Sequence, residues 1–422
     1  MKYLKYLQTA IDFESFKNSE DYVTPNVSYV EETNGVSYEP YVPKDMSGYL
    51  TIEALEDGLT ASLSINACEY CVDGDDNWKT LDAGTVTESI NTGQTLSFRG
   101  NLTPKSYSGI GKFTINKKCN LKGNCMSMLF GDNAIDNYSL SGKDYVFYEL
   151  FYKCENIVNV SENFLPATTL AFRCYERMFA NCASLTTAPE LPATVLANWC
   201  YDNMFYNCTS LIAAPELPAT TIAEKCYEGM FEGCTSLTSA PSILPATTLR
   251  DYCYSHMFYG CTSLTTAPEL SATTIRDYCC ESMFKGCTSL ITAPSILPAT
   301  TLKRECYRYM FSGCTSLTTA PVLPATELGD SCYSYMFSGC TSLITAPVLP
   351  ATELVSNCYR GMFMRCSKLN YIKMLATDLG ANSLYDWVYD VTSKGTFVKN
   401  SAMTSLPTGV SGIPSRWTVQ NA

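Results

Sequence analysis

The fold class predicted for this 422-residue chain is an α/β repeat solenoid preceded by a small antiparallel β-domain, and three observations predict it. One unit of about 26 residues recurs along the middle of the chain. Each unit splits into a half with apolar residues every fourth position and a half rich in Thr and Pro. Upstream, a stretch with strand-like alternation lies between Gly and Asp turns.

The recurring unit is plain in "CYSYMFSGCTSLITAPVLPAT", which begins at Cys332 and has near copies beginning at Cys306, Cys226 and Cys200. First cysteines stand at Cys174, Cys200, Cys226, Cys253, Cys279, Cys306, Cys332 and Cys358, spaced 26, 26, 27, 26, 27, 26 and 26. Each longer unit carries "SILP" where the others have "ELP" or "VLP". A degenerate earlier unit puts Leu150, Phe151 and Cys154 at the Met, Phe and second-Cys positions, making about nine units of 26–27 residues. Such a period means that each unit buries its face only against its neighbours. With strands about 4.8 Å apart, the stack is a rod of about 40 Å.

Within a unit, Leu196, Cys200, Met204 and Cys208 recur every four residues with Phe205 beside them, which predicts one buried stripe of a helix. Thr194, Thr220 and Thr247, closing "PAT", suit its N-cap. The residue before the second cysteine is Asn181, Asn207, Gly233, Gly260, Gly286, Gly313 and Gly339, then Arg365. Asn and Gly tolerate the left-handed conformation that ends a helix. The other half, "SLTTAPELP", predicts a short extended segment with Leu185, Ala188 and Leu191 inward, stacked in a parallel ladder.

Four segments follow. Residues 1–45 are read as an attachment segment; Gln8, Asp12, Glu14 and Lys17 interrupt any apolar stretch of a signal peptide. Residues 46–145 hold the small β-domain, with "VDGDDNW" as a hairpin turn, and the N-terminal cap of the solenoid. Residues 146–376 are the solenoid, and 377–422 a C-terminal cap in which Trp387, Phe397 and Trp417 cover the exposed end.

The sequence "CYxxMFxxCTSLxxAPxLPATxL" resembles the BspA-type branch of leucine-rich repeats common in gut Bacteroides and their phages. It departs from that branch in running 26 residues where the branch is often shorter, and in Ser271 replacing a proline. The resemblance implies a right-handed horseshoe or rod used for adhesion or recognition, without catalysis. The opening "YVTPNVSYVEETNGVSYEP" resembles a short leader ahead of varied modules in proteins of Bacteroides-infecting phages and prophages. It implies a virion protein.

Composition narrows the chemistry. A net charge of −12 without a basic stripe argues against nucleic acid, and no apolar run is long enough to span a membrane. The 22 cysteines are read as thiols of a reducing compartment packed as small apolar groups. Cys68, Cys71, Cys119 and Cys125 have zinc-like pairing, but five residues separate the second pair, and structural thiols are the preferred reading. His256 is the sole histidine, leaving little for acid–base or nucleophilic catalysis, and no cofactor motif occurs.

Candidate partner contacts are the variable positions preceding the cysteines: Asn198, Glu224, Lys225, Arg250, Asp251, Arg276, Asp277, Lys303, Arg304 and Asp330. A row of tyrosines, Tyr201, Tyr227, Tyr254, Tyr307, Tyr333 and Tyr359, either binds rings of a ligand or packs neighbouring units together. Together with these features, the two resemblances imply a non-enzymatic, virion-associated recognition protein whose N-terminus docks to other virion proteins and whose repeats contact a host surface protein or glycan. A bacterial cell-surface adhesin is the alternative, and a glycan-processing enzyme a third.

Overall fold

The computed structural model describes residues 46–422. The attachment segment expected at residues 1–45 lies outside them. Lys44–Ala422 forms one compact unit.

Its N-terminal part is a six-stranded sheet in the order β4-β3-β5-β1-β7-β8. The strands are β1 (Leu50–Ala54), β3 (Cys68–Val72), β4 (Lys79–Leu81), β5 (Thr95–Arg99), β7 (Cys119–Lys122) and β8 (Ile157–Val160). A second pair, β2 (Ala61–Leu63) with β6 (Phe113–Ile115), is antiparallel. Leu50, Ile52 and Ala54 alternate inward and are fully buried, opposite Leu96 and Phe98 of β5. The expected "VDGDDNW" turn joins β3 to β4, where Tyr70 pairs with Lys79.

All pairings of this sheet are antiparallel until β7 meets β8, which run parallel. From there the parallel ladder continues as single bridges, Asn159 to Thr187, Thr187 to Ala213 and Ala213 to Ser239, then Thr266 to Thr292 to Thr319 and Thr345 to Tyr371. The sheet and the solenoid therefore share backbone hydrogen bonds with no break near residue 145. At the other end, β9 (Tyr371–Met374), β10 (Thr396–Lys399) and β11 (Thr418–Asn421) pair in parallel. Much of the stretch 377–422 thus carries on the same ladder.

The half of each unit that the spacing predicted as a helix is a ribbon of turns. Tyr201, Asn203, Phe205 and Asn207 donate their N–H groups to the next coil, to the carbonyls of Cys226, Glu228, Met230 and Glu232 at 2.7–3.0 Å. The residues between them, Asp202, Met204, Tyr206 and Cys208, donate three residues back along their own coil at 3.1–3.3 Å. An α-helix needs every N–H to bond four residues back, so these residues are not helical. Trp199, Asn203 and Asn207 also have φ of 63°, 52° and 56°, a sign no right-handed helix allows. The four-residue period comes from two successive turns, the second with a left-handed third residue as type II requires.

The left-handed site before the second cysteine is occupied as expected, from Asn181 (62°) and Gly233 (75°) to Gly339 (76°), and Arg365 adopts it too at 62°. It ends a turn within the ribbon and not a helix. Thr194 caps no helix either; its N–H bonds to the Thr168 carbonyl of the preceding coil at 3.1 Å.

The core is built from identical residues stacked on one another. The Phe rings of successive coils lie parallel at 5.4–5.8 Å from Phe151 through Phe179, Phe205 and Phe231 to Phe363. Fully burying each such ring contributes about 1.5–3 kcal/mol. Every second cysteine donates its S–H to the Phe carbonyl of the preceding coil, Cys208 to Phe179 at 3.1 Å, Cys234 to Phe205 at 3.1 Å and Cys287 to Phe258 at 3.1 Å. That carbonyl also takes the N–H of its own coil's cysteine, Cys208 to Phe205 at 3.1 Å. Both lone pairs of a buried carbonyl are thus used, which alanine or valine in place of cysteine does not achieve.

All 22 cysteines are buried free thiols, and burial pushes Cys208 and Cys287 up to about 12. Native protein is therefore expected to resist a thiol reagent such as Ellman's for as long as it stays folded, and to release 22 reactive groups in denaturant. Rapid labelling of the native state contradicts this packing. Cys287→Ala should cost about 1–3 kcal/mol in chemical denaturation, from the lost donor and the small void.

Candidate functional site

The ribbon turns one face to solvent, and its residues fall into files running from coil to coil. Asn198, Glu224, Asp251, Asp277, Arg304 and Asp330 form one file, since the carbonyl of each accepts an N–H from the preceding coil, as Asn198 does from Arg173 and Glu224 from Trp199. Two side chains of this file also cross between coils: Asn198 Oδ1 accepts the Glu224 N–H at 3.2 Å, and Asp277 Oδ1 the Arg304 N–H at 3.1 Å. Arg250, Arg276 and Lys303 precede this file by one residue and are exposed. Nine of the ten candidates chosen from sequence thus lie together along one edge of the ribbon, Asp277 half-buried and the rest exposed, and the tenth, Lys225, half-buried, stands in the file beside it.

Next to that edge runs a file that spacing alone did not single out, apart from Lys225: Arg173, Trp199, Lys225, Tyr252, Tyr278 and Glu305. The Arg173 guanidinium sits 4.1 Å from the Trp199 ring centre, and the Lys225 ammonium lies 4.2 Å from Trp199 and 4.6 Å from Tyr252. Tyr252 stacks on Tyr278 at 4.7 Å with rings 3° apart, and the Tyr278 hydroxyl donates to Glu305 at 3.3 Å. Cation, ring, cation, ring and ring thus follow in unbroken contact, each cation held to a ring face by the quadrupole. All six residues have φ between 52° and 63°. That shared conformation aims their side chains the same way at the coil spacing. The available signal was the third letter of "ANW", "AEK" and "RDY", just before each cysteine.

Three residues further on, a file of acids underlies the cations. Arg173 pairs with Glu176 at 3.0 Å and Lys225 with Glu228 at 3.2 Å. Asp202 stands between them, 4% exposed, and accepts from Asn203 at 2.9 Å. Burial pushes Glu176 up to about 7 against the opposing pull of Arg173 and Arg177. It raises Asp202, Glu228 and Glu281 as well.

The tyrosine row is inaccessible to a ligand. Tyr201, Tyr227, Tyr254, Tyr307, Tyr333 and Tyr359 are 1–2% exposed and stack at 5.7–6.0 Å where the row is unbroken, so they pack coil on coil. Cys280 interrupts the row and is itself fully buried. Cys68, Cys71, Cys119 and Cys125 are buried free thiols, with burial pushing Cys68 up to about 12. Among the described residues, no group of three or more His, Cys, Asp or Glu side chains is arranged to hold a metal ion. His256 Nδ1 lies 2.8 Å from Ser255 Oγ, but that serine is fully buried.

The sequence model of the BspA type leucine rich repeat region matches this chain over residues 148–291 and 255–389, with six copies. Together the two ranges span more than half of the chain. A solved leucine-rich repeat protein from Bacteroides ovatus is 16% identical, with 65% of this chain and 86% of that one covered and a TM-score of 0.21. No curated protein sequence matches.

The buried acids carry a pH signature. For Glu176, folded near 7 and unfolded near its ordinary 4.5, the folded state holds the proton more tightly. Its contribution is full below about pH 4.5 and is lost as pH rises through about 7. Melting temperature measured at pH 5.5 and pH 8 should therefore fall less in Glu176→Gln than in the parent. Identical slopes for the two proteins count against this reading of the buried carboxyl.

Proposed function

Since this chain belongs to the family of BspA-type leucine-rich repeat proteins, we propose that it is a non-enzymatic recognition protein that binds a macromolecular partner through the solvent face of its turn ribbon. The observation that carries this reading is the half-buried file from Arg173 to Tyr278, where cations and rings alternate in contact over successive coils. Aromatic and cationic side chains held rigid before a partner arrives lose little freedom on binding, which is why Trp, Tyr and Arg dominate binding hot spots. The exposed edge beside it, with Asn198, Glu224, Arg250, Asp251 and Arg276, supplies the polar rim such a hot spot needs. The repeat family fits adhesion or protein binding, and the pre-ordered cations and rings of this face support reading it as the binding surface.

The setting is part of the proposal. Residues 1–45 are read as the segment that docks to other virion proteins of a Bacteroides-type phage, on the resemblance of their leader alone. The repeats then meet a host surface protein or glycan. Display on a bacterial cell surface has equal support from the repeat family. Among the described residues no helix is long and apolar enough to cross a membrane. The acidic balance of the chain, −12, disfavours a nucleic-acid partner.

Two measurements test the reading. Trp199→Ala combined with Tyr252→Ala is expected to weaken adhesion of the full chain to host cells by roughly 30-fold or more, two hot-spot losses of about 1 kcal/mol or more each, with little change in circular dichroism. Undiminished adhesion sinks the ribbon face as the binding surface. Mass spectrometry of gradient-purified phage particles and of outer-membrane fractions separates the settings. A fixed ratio to capsid protein supports the virion, and recovery in membranes alone supports the adhesin.

A further inference from the structure

Four arginines of the ribbon, Arg173, Arg177, Arg304 and Arg308, meet carboxylates. Arg173 meets Glu176 at 3.0 Å, Arg177 meets Glu149 at 3.8 Å, and Arg308 meets Glu281 at 3.8 Å as well as Glu305. Arg360 differs from these in making no ion pair among the described residues; its Nε, like those of Arg173 and Arg177, is out of solvent with no hydrogen-bond partner. The reason lies in the repeat. The position that supplies Glu176, Asp202, Glu228 and Glu281 in earlier coils holds Arg308, Ser334 and Arg360 in the later ones, so no acid of this file stands in the coil before Arg360.

Arg360 is nonetheless held in place. Its guanidinium lies 6.0 Å from the Tyr335 ring and 5.1 Å from that of Tyr385, and its carbonyl accepts from Tyr335 N–H at 2.7 Å and Ser334 Oγ at 3.3 Å. Tyr335 stacks on Tyr309 at 5.0 Å and reaches across Gly361, where an added Cβ would come within 2.3 Å of its ring. Glycine at 361 is what lets the ring lie there. A cavity of about 300 Å³ opens between these groups, lined among others by Arg308, Arg360, Ser331, Ser334, Tyr335 and Asn357. Asn357 donates to Ser356 at 2.9 Å, while its Oδ1 is buried without a partner.

We propose that this cavity is a subsite for an acidic sugar, a uronic or sialic acid residue at the end of an otherwise neutral glycan. Arg360 supplies the planar fork that pairs with a carboxylate in two parallel hydrogen bonds. Asn357 and the Ser331 and Ser334 hydroxyls line the cavity and suit sugar hydroxyls, while the Tyr385 ring, 5.1 Å from the guanidinium, helps hold Arg360 in place. The volume stands at the low end of small-molecule sites, which suits one sugar unit. Glu305 and Arg308 neutralise each other within the cavity, so Arg360 leaves it with a local positive charge. The net −12 of the whole chain repels polyanions and selects a ligand with an isolated acid group.

This subsite rests on the ribbon face being the recognition surface, and its test separates the two. Full-length protein is titrated with methyl glucuronide, N-acetylneuraminic acid and methyl glucoside, with binding read by saturation-transfer NMR. At least one acid is expected to bind roughly tenfold or more tighter than the neutral glucoside, and Arg360→Gln to remove that preference. Arg360→Lys, which keeps the charge without the fork, should fall between. Tyr385→Ala, at an exposed position, removes the ring packed on the Arg360 guanidinium, should shrink the preference for the acids, and serves if the Arg360 variants fold poorly. Equal binding of acid and glucoside, binding of neither acid, or an Arg360→Gln protein that keeps the preference overturns the subsite. If the sugars fail while the Trp199 and Tyr252 variant still loses adhesion, the recognition face stands and only the subsite falls.

Discussion

Everything in the array depends on how the turn ribbon divides its backbone hydrogen bonds. Alternate N–H groups close turns within a coil, and the others reach the carbonyls of the next. A single coil therefore leaves about half of its ribbon donors unmet, and each unmet buried donor costs about 1–3 kcal/mol. Nor is a coil's conformation favourable by itself. Non-glycine residues at positive φ, such as Trp199, Asn203 and Tyr252, each carry a penalty of about 1–2 kcal/mol that only bonds to the neighbouring coils offset. Stability is consequently a property of neighbours, as in other solenoids.

The same logic explains why the interior is so uniform. A stacked ring finds its best partner in a ring of equal size at the same height, and a cysteine S–H finds the same carbonyl one coil back each time. Substituting one coil disturbs two interfaces. At the ends the pattern is closed with different residues. Phe113 of β6 stacks on Phe151 at 5.3 Å and accepts the Cys154 S–H, so the β-domain provides the first rung. Trp387, fully buried, meets Phe363 at 6.0 Å and donates its indole N–H to Gly412 at 2.8 Å, which closes the other end. Both ends are thereby spared an open layer of aromatic core.

Uniformity inside frees the outside to vary. The ribbon presents one side chain per coil at each file, so whatever residue stands there meets its counterparts above and below. Where these are Arg173, Trp199 and Lys225 they form a cation–ring sandwich. Where they are Tyr309 and Tyr335 they stack, and where acids run out Arg360 stands alone. The buried acids beneath, with Glu176 raised to about 7, hold the cations in line.

By itself the sequence determined the repeat, most of the buried positions and the left-handed site before the second cysteine. Cys200, Met204, Phe205 and Cys208 are read as core from spacing alone and are fully buried, and Asn and Gly before the second cysteine declare their conformation because few other residues adopt it. The antiparallel pairing around "VDGDDNW" was equally legible, since turn residues set it locally. What spacing could not decide was helix or ribbon, for a period of four satisfies both, and the difference lies in whether N–H groups bond within the coil or across to the next. That same choice buried the Tyr201 row and aimed the Trp199 file outward. Only the stacked coils decided it, because the carbonyls that fix each residue's conformation belong to residues 25 or 26 positions away.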